Sequence, residues 1–243
     1  MDGRQGAARR RGSAPAISAS RVFAAIARTG LAPRGALALA DDERSGALAD
    51  IRTLVLIGMT GRLGWDAFAA SEEAWDGLDD PLDRFTRRAV GALARGLGAT
   101  ALFPFGGPPY WPFQQWARRA EPVHASPLGI LIHPTYGLWH SYRGALGFRE
   151  ALDLPRSEPR ASPCESCRER PCLSACPVGA FSGAGYDVAA CADHLSSAAG
   201  EACMKGGCLA RRACPVGPEH AHAREQAAFT MRAFLRARAI GSL

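Results

Sequence analysis

The stretch Cys164-Glu-Ser-Cys167-Arg-Glu-Arg-Pro-Cys172-Leu-Ser-Ala-Cys176-Pro177 places four cysteines in one short run and ends in Cys-Pro. The other cysteines follow in a second group that also ends in Cys-Pro: Cys191, Cys203, Cys208 and Cys214. Closely spaced thiolates with a further cysteine before proline are typical of loops that hold cubane iron–sulfur clusters, in which the last cysteine of a run can ligate the other cluster. The pattern therefore predicts two [4Fe–4S] clusters.

Two other uses of eight cysteines compete with this interpretation. Disulfides suit the even number, but they require an oxidising compartment. A structural zinc site of four thiolates is the stronger alternative, although zinc sites usually place two Cys-x2-Cys pairs far apart. The spacings from Cys167 to Cys172 and from Cys191 to Cys203 exceed those of the usual bacterial cluster run. Longer loops cost little, because doubling a loop's length costs only about 0.6 kcal/mol.

The composition is that of an ordinary globular protein with room for one large or two smaller domains: 243 residues, 47% hydrophobic and 21% charged. A formal net charge of +6 raises the question of nucleic-acid binding. Residues 1–21 contain five arginines and one aspartate, so they hold four of the six net charges. Each oxidised cluster with four thiolates would add about −2 to the remainder. Nucleic acid is therefore not an expected partner.

The chain contains no apolar stretch of the roughly 18 residues that a membrane span needs. The arginines of residues 9–11 are not followed by the apolar segment of an export signal. Reduced cysteines that bind metal suit a reducing compartment. We expect a cytoplasmic protein that does not enter a membrane.

The sequence divides into four predicted segments: a disordered basic tail at 1–19, an α/β domain at 20–160, a ferredoxin-like iron–sulfur domain at 161–219, and a helix at 220–243 that packs back. Helical and strand patterns alternate in the second segment, so the expected fold class is α+β with a mixed α/β N-terminal domain. The predicted helices are Ser20–Arg28, a helix that Asp80 caps before Pro81 and Gly98 ends, and Ala223–Ile240. The predicted strands are Thr53–Gly58, Ala99–Phe103 and Gly129–Ile132.

Neither of two common nucleotide-binding motifs is present in a form that predicts nucleotide binding. Gly96-x-Gly98-x-x-Ala101 has the letters of a dinucleotide fingerprint, but it ends a helix and leads into a strand, which is the reverse of the required order. A Gly-x-x-x-x-Gly-Lys loop is absent, since Lys205 is the sole lysine.

The segment Tyr136–Leu146 is rich in aromatic and polar residues and lies just before the cysteines. Trp139, Tyr142 and Arg143 are candidates to line a cofactor cavity beside a cluster, with Arg143 offsetting the cluster's negative charge. The alternative is a strand with a buried aromatic face. The histidines have no mutual spacing that would build a metal site.

The order of Tyr136-Gly-Leu-Trp139, a Pro-rich linker at Leu154–Pro163, the first cysteine run, a lone cysteine and a second Cys-Pro group resembles epoxyqueuosine reductase. It is still more similar to short bacterial ferredoxin-like proteins that share the cluster domain. The resemblance covers about residues 129–217. It implies two cubane clusters, which in that family pass electrons to a cobalamin on a nitroreductase-like domain. It also implies that Cys164, Cys167, Cys172 and Cys214 hold one cluster, and that Cys176, Cys191, Cys203 and Cys208 hold the other.

The second group departs from the family pattern, which has a tight Cys-x2-Cys-x3-Cys-Pro where this chain has four- and five-residue gaps. We expect an iron–sulfur electron-transfer protein that serves a redox partner protein. The first alternative is a reductase of the epoxyqueuosine reductase type, in which the clusters reduce a corrinoid or another cofactor and tRNA is the substrate. The second alternative is a zinc-stabilised binding module.

Overall fold

The structure is a computed structural model that describes residues 17–154 and 158–239. Most of the predicted basic tail, residues 1–16, lies outside the described residues. So do residues 155–157 of the Pro-rich linker and Ile240 at the end of the predicted last helix.

The described residues form helices and short antiparallel sheets. The helices are α1 (Ala19–Ala27), α2 (Trp65–Ala69), α3 (Pro81–Leu97), α4 (Phe113–Ala120), α5 (Pro163–Ser166), α6 (Pro171–Ser174), α7 (Val188–Ser196), α8 (Glu201–Gly206), α9 (Leu209–Arg212) and α10 (Arg224–Ala239). The strands are β1 (Ala32–Ala38), β2 (Thr53–Thr60), β3 (Thr100–Leu102), β4 (His124–Ala125), β5 (Leu131–Ile132), β6 (His140–Phe148), β7 (Phe181–Ser182) and β8 (Gly185–Tyr186).

The main sheet has four strands in the order β1-β2-β6-β3, and each neighbouring pair is antiparallel. The long pairing of β2 with β6 runs from Thr53 opposite Phe148 to Thr60 opposite His140. Antiparallel strands with helices on both faces confirm the predicted α+β class.

The central strand β2 explains how the sheet is covered. Alternate residues of a strand point to opposite faces, so Val55 and Ile57 pack with α1 and α3, whereas Leu54 and Leu56 pack with α4. All eight residues of β2 are buried. This is why its sequence is a continuous apolar run.

Helix α3 begins and ends where the sequence predicts, but the side chain of Asp80 does not cap it. Pro81 opens the helix, and Gly98 ends it in the left-handed conformation with φ of 65°. Asp80 makes no capping hydrogen bond with its side chain, because its own backbone is left-handed at φ 49°.

An ion pair ties α3 to the segment before it. Arg88 donates to the carboxylate of Glu73 at 2.5 and 2.8 Å. These hydrogen bonds lower the pKa of Glu73 to about 2.

Three other elements differ from the sequence prediction. The N-cap of helix α1 is Ser18, two positions before the predicted Ser20, since the Ser18 side chain accepts the capping hydrogen bond. The strand predicted for 129–132 shortens to β5, since Gly129 adopts a positive φ in a turn. Strand β1 was not predicted, and it pairs with β2 through an irregular register between Pro33 and Ala36.

The cysteine-bearing segment is built from the short helices α5–α9 and the β7–β8 hairpin. Leu128, Ile132 and Leu138, from the segment before β6, form an apolar cluster with Cys172 and Cys214. Cys172 and Cys214 therefore pack against apolar side chains that precede strand β6 in the sequence.

Helix α10 confirms the predicted closing helix over Arg224–Ala239 and contacts both halves of the described chain. The ring of Phe229 lies 5.4 Å from that of Trp65 and 5.3 Å from that of Phe68. Gln226 donates to the Gly61 carbonyl at 3.0 Å. On its other side, α10 packs against α8.

Within residues 17–154 and 158–239, none of the helices has the length and apolarity that crossing a membrane demands.

Candidate metal centre

Cysteines from both sequence groups meet at one small cavity. Cys164, Cys167 and Cys172 line it together with Cys214, which follows Cys172 by more than forty residues. Pro127 and Ile132 complete part of the apolar wall. Cysteines that are far apart in the sequence thus border one space.

The remaining cysteines form a second neighbourhood. The charges of Cys176 and Cys203 act on the thiol of Cys191, and those of Cys191 and Cys203 act on Cys208. No thiol of the first neighbourhood contributes to these influences. Cys176, Cys191, Cys203 and Cys208 therefore lie near one another, while Cys176 and Cys208 also pack against the apolar cluster that contains Cys172 and Cys214.

Burial and mutual repulsion disfavour bare thiolates in both neighbourhoods. Burial raises the pKa of Cys164 and Cys172, and the charges of nearby cysteines, Cys214 first, raise it further. Burial is likewise the first cause of the raised pKa of Cys191 and Cys208. Several thiolates can share such a space only when positive charge offsets them, as metal coordination does. The donor set therefore fits an iron–sulfur cluster.

All eight cysteines are free, and none forms a disulfide. A tetrahedral zinc ion with Zn–S bonds of about 2.3 Å would need sulfur atoms about 3.8 Å apart. Among the residues that the structure describes, no three His, Cys, Asp or Glu side chains are grouped so that they could hold a single metal ion.

A backbone N–H group points at one of the cysteine sulfur atoms. The amide of Ala180 donates to Sγ of Cys176 at 3.4 Å. Near Cys208, burial raises the pKa of the thiol, and the backbone of α9 at Ala210 and Arg211 acts in the opposite direction. Such donors favour the anionic form of a sulfur ligand, and in iron–sulfur proteins they tune the reduction potential.

Arg211 is a cation beside the second neighbourhood that the sequence analysis did not identify. Its guanidinium lies 4.7 Å from the Trp139 ring and donates through Nε to the Leu138 carbonyl at 3.0 Å. Burial lowers the pKa of Arg211 to about 10, and the thiolate of Cys208 opposes that change. Within the described residues Arg211 has no carboxylate partner. A partly buried cation beside Cys208 is suited to balance the negative charge of a ligand at that sulfur.

Tyr186 is a second neighbour of the cysteines that spacing did not reveal. Its ring stacks on Phe181 across the β7–β8 hairpin, with centroids 4.7 Å apart. Its hydroxyl lies beside the thiol of Cys191. Burial first, and then the neighbouring Cys191, raises the pKa of Tyr186, so the hydroxyl stays protonated.

The predicted cofactor-lining residues lie in different surroundings. Trp139 is buried beside Arg211. Tyr142 donates its hydroxyl to Glu121, and the guanidinium of Arg143 is paired with Asp83 of α3. Arg143 therefore contacts a carboxylate in the N-terminal half, while the cation that acts on a cysteine is Arg211.

Tyr142 belongs to a buried ion-pair network at the end of the main sheet. Arg34 is 1% exposed and donates to Glu121 through Nη2 at 2.6 Å and Nε at 3.0 Å. Nδ1 of His140 lies 3.3 Å from the same guanidinium. Burial lowers the pKa of His140 to about 2 and that of His133 to about 4. Both imidazoles are thus neutral at pH 7, and the network rests on one arginine and one glutamate.

A close backbone contact joins this region to the cysteines. Gly137 has φ of +54°, and a side chain there would overlap the Val216 carbonyl oxygen. Gly217 has φ of +63°, and a Cβ atom there would lie 2.6 Å from the Thr135 carbonyl oxygen. We call this contact the Gly137–Gly217 seam. It holds the chain just after Cys214 in place, so glycine at both positions serves the first neighbourhood.

No protein-family model matches the chain. No curated protein matches it. Among solved structures, it is similar to one described as the structure of epoxyqueuosine reductase from Streptococcus thermophilus. The TM-score is 0.45 and the sequence identity 16%, over 74% of this chain and 54% of that one. The chain therefore spans about half the length of that structure.

Proposed function

We propose that this chain is an iron–sulfur electron-transfer protein whose eight cysteines hold two [4Fe–4S] clusters crosswise. Cys164, Cys167, Cys172 and Cys214 would hold one cluster, and Cys176, Cys191, Cys203 and Cys208 the other. The observation that carries the proposal is the meeting of Cys214 with the first three cysteines at one cavity.

The surroundings of the thiols support an anionic cofactor. The Ala180 amide donates to the Cys176 sulfur, and the Tyr186 hydroxyl lies beside Cys191. Arg211 supplies positive charge and, among the residues that the structure describes, has no carboxylate partner. A bound cubane would supply one-electron chemistry. The protein would position the cysteine ligands and set the reduction potential of the cluster. Leu128, Ile132 and Leu138, which pack with Cys172 and Cys214, would limit the access of water.

Anaerobic purification with iron and acid-labile sulfide analysis tests the proposal. We expect about eight of each per chain, as two cubanes require. Zinc without sulfide would instead establish the zinc-stabilised module. A cobalamin titration followed by absorption tests the corrinoid alternative.

Single substitutions distinguish crosswise ligation from one cluster per sequence group. In the crosswise arrangement Cys214→Ser and Cys164→Ser disturb the same cluster, and Cys176→Ser disturbs the other. Electron paramagnetic resonance of the reduced variants should therefore give the same altered signal for Cys164→Ser and Cys214→Ser. A common signal for Cys164→Ser and Cys176→Ser would show ligation within each group.

A further inference from the structure

A groove between the N-terminal half and α10 is separate from the cysteine cavity. It has a volume of about 710 Å³, and α2, the turn after it, α8 and α10 form its walls. Its floor is aromatic: Trp65, Phe68 and Phe229 pack against one another at tilted angles. Grooves of about 300–1,000 Å³ with an apolar floor are the usual size of small-ligand sites. We call it the Trp75 groove.

Trp75 forms one side of the groove and is 80% exposed. Its indole N–H donates to the Ala69 carbonyl at 2.7 Å, which fixes the ring although most of it faces solvent. A fixed, exposed indole offers a flat apolar surface, and covering it would be favourable without ordering a mobile side chain. The shape of this wall fits a planar aromatic group.

The rim of the groove is positively charged. Arg224 and Arg232 line it, and in the part of the chain that the structure describes neither of them has a salt bridge. Lys205 also lines it but is paired with Glu201, and Glu225 is the acidic residue of the lining. Two arginines that no described carboxylate neutralises, above an aromatic floor, favour an anion.

We propose that the Trp75 groove binds a planar aromatic ligand that carries an anionic group. The ring system would stack on Trp75 over the Phe229 floor, and the anionic group would be held by Arg224 and Arg232. The inference is independent of the cysteines, since none of them lines the groove.

A matched pair of probes tests the proposal on the full chain with its clusters loaded. 8-Anilinonaphthalene-1-sulfonate carries a sulfonate, and N-phenyl-1-naphthylamine has the same rings without it. We expect fluorescence titration to show at least fivefold tighter binding of the sulfonate. Arg232→Gln should remove that preference, and Trp75→Ala should weaken both probes at least fivefold.

Arg238→Gln is the matched control, because Arg238 is an exposed arginine on α10 that does not line the groove. It should leave both affinities unchanged. Trp75→Phe, which keeps a flat ring, should retain most of the binding. Equal affinity for the two probes, no binding of either, or the same loss in Arg238→Gln as in Arg232→Gln would overturn the inference.

Discussion

Replacing Gly137 by alanine should weaken the attachment of the Cys214 loop more than a positive φ alone can explain. Any non-glycine residue in the left-handed region costs about 1–2 kcal/mol. At Gly137 the new Cβ would also lie 2.8 Å from the Val216 carbonyl carbon and overlap its oxygen. Carbon atoms normally approach to about 3.5–4.0 Å, and overpacking of this kind adds about 1–3 kcal/mol. We therefore expect Gly137→Ala to lower the free energy of unfolding by about 2–5 kcal/mol.

Gly129→Ala is the matched control. Gly129 has φ of +74°, but a Cβ atom there would meet no atom of the described residues within 4 Å, so the backbone cost of about 1–2 kcal/mol is the one expected. Chemical denaturation of anaerobic, iron-loaded protein measures both variants. Because the Gly137–Gly217 seam positions Cys214, Gly137→Ala should also lose about half of the iron of two cubanes, whereas Gly129→Ala should keep it. Equal stability and equal iron in the two variants would refute the reasoning.

Three other predictions concern charged groups. In an anaerobic redox titration, Arg211→Gln should make reduction of a cluster at Cys208 about tenfold less favourable, which lowers the one-electron potential by about 59 mV. Arg212→Gln changes the next residue, which is exposed, and should leave the potential unchanged. Equal shifts in the two variants would argue against charge balance by Arg211. Glu121→Leu leaves the buried Arg34 uncompensated and should cost about 3–5 kcal/mol in denaturation; adding Arg34→Met should recover part of this loss, and no recovery would contradict the ion-pair account. The pKa of Glu73 is lowered to about 2, so the stability that its pair with Arg88 contributes is present above about pH 4.5 and is lost as pH falls toward 2. In thermal unfolding at a series of pH values, Glu73→Gln should lack this loss at acid pH. A variant that loses stability with acid as the unsubstituted protein does would show that the pair does not contribute.

Sequence patterns predicted the elements whose signals are local. The apolar run at β2 and the Pro81 and Gly98 boundaries of α3 depend on neighbouring residues alone. Strand β1 could not be predicted in this way, because Pro33 and Gly35 disfavour a strand and only pairing with β2 places them in one. Its formation depends on tertiary contacts.

The same distinction applies to the candidate site. The cysteine spacing indicated the chemistry, but the meeting of Cys214 with Cys164 depends on the return of the chain after α9. Arg211 and Arg212 are adjacent and identical in sequence, and only packing against Trp139 distinguishes them. The expectation that Arg143 faces a cluster rested on its closeness in sequence to the cysteines, whereas the side chain pairs with Asp83 of α3.

Helix α10 is synthesised after every residue that it covers. The aromatic pair Trp65 and Phe68 therefore exists in the growing chain before the helix that packs on it. Apolar surface that is exposed in this way makes a chain prone to aggregate. A chain that stops before Arg224 should keep this surface exposed to water, so the docking of α10 protects the N-terminal half as well as joining it to α8.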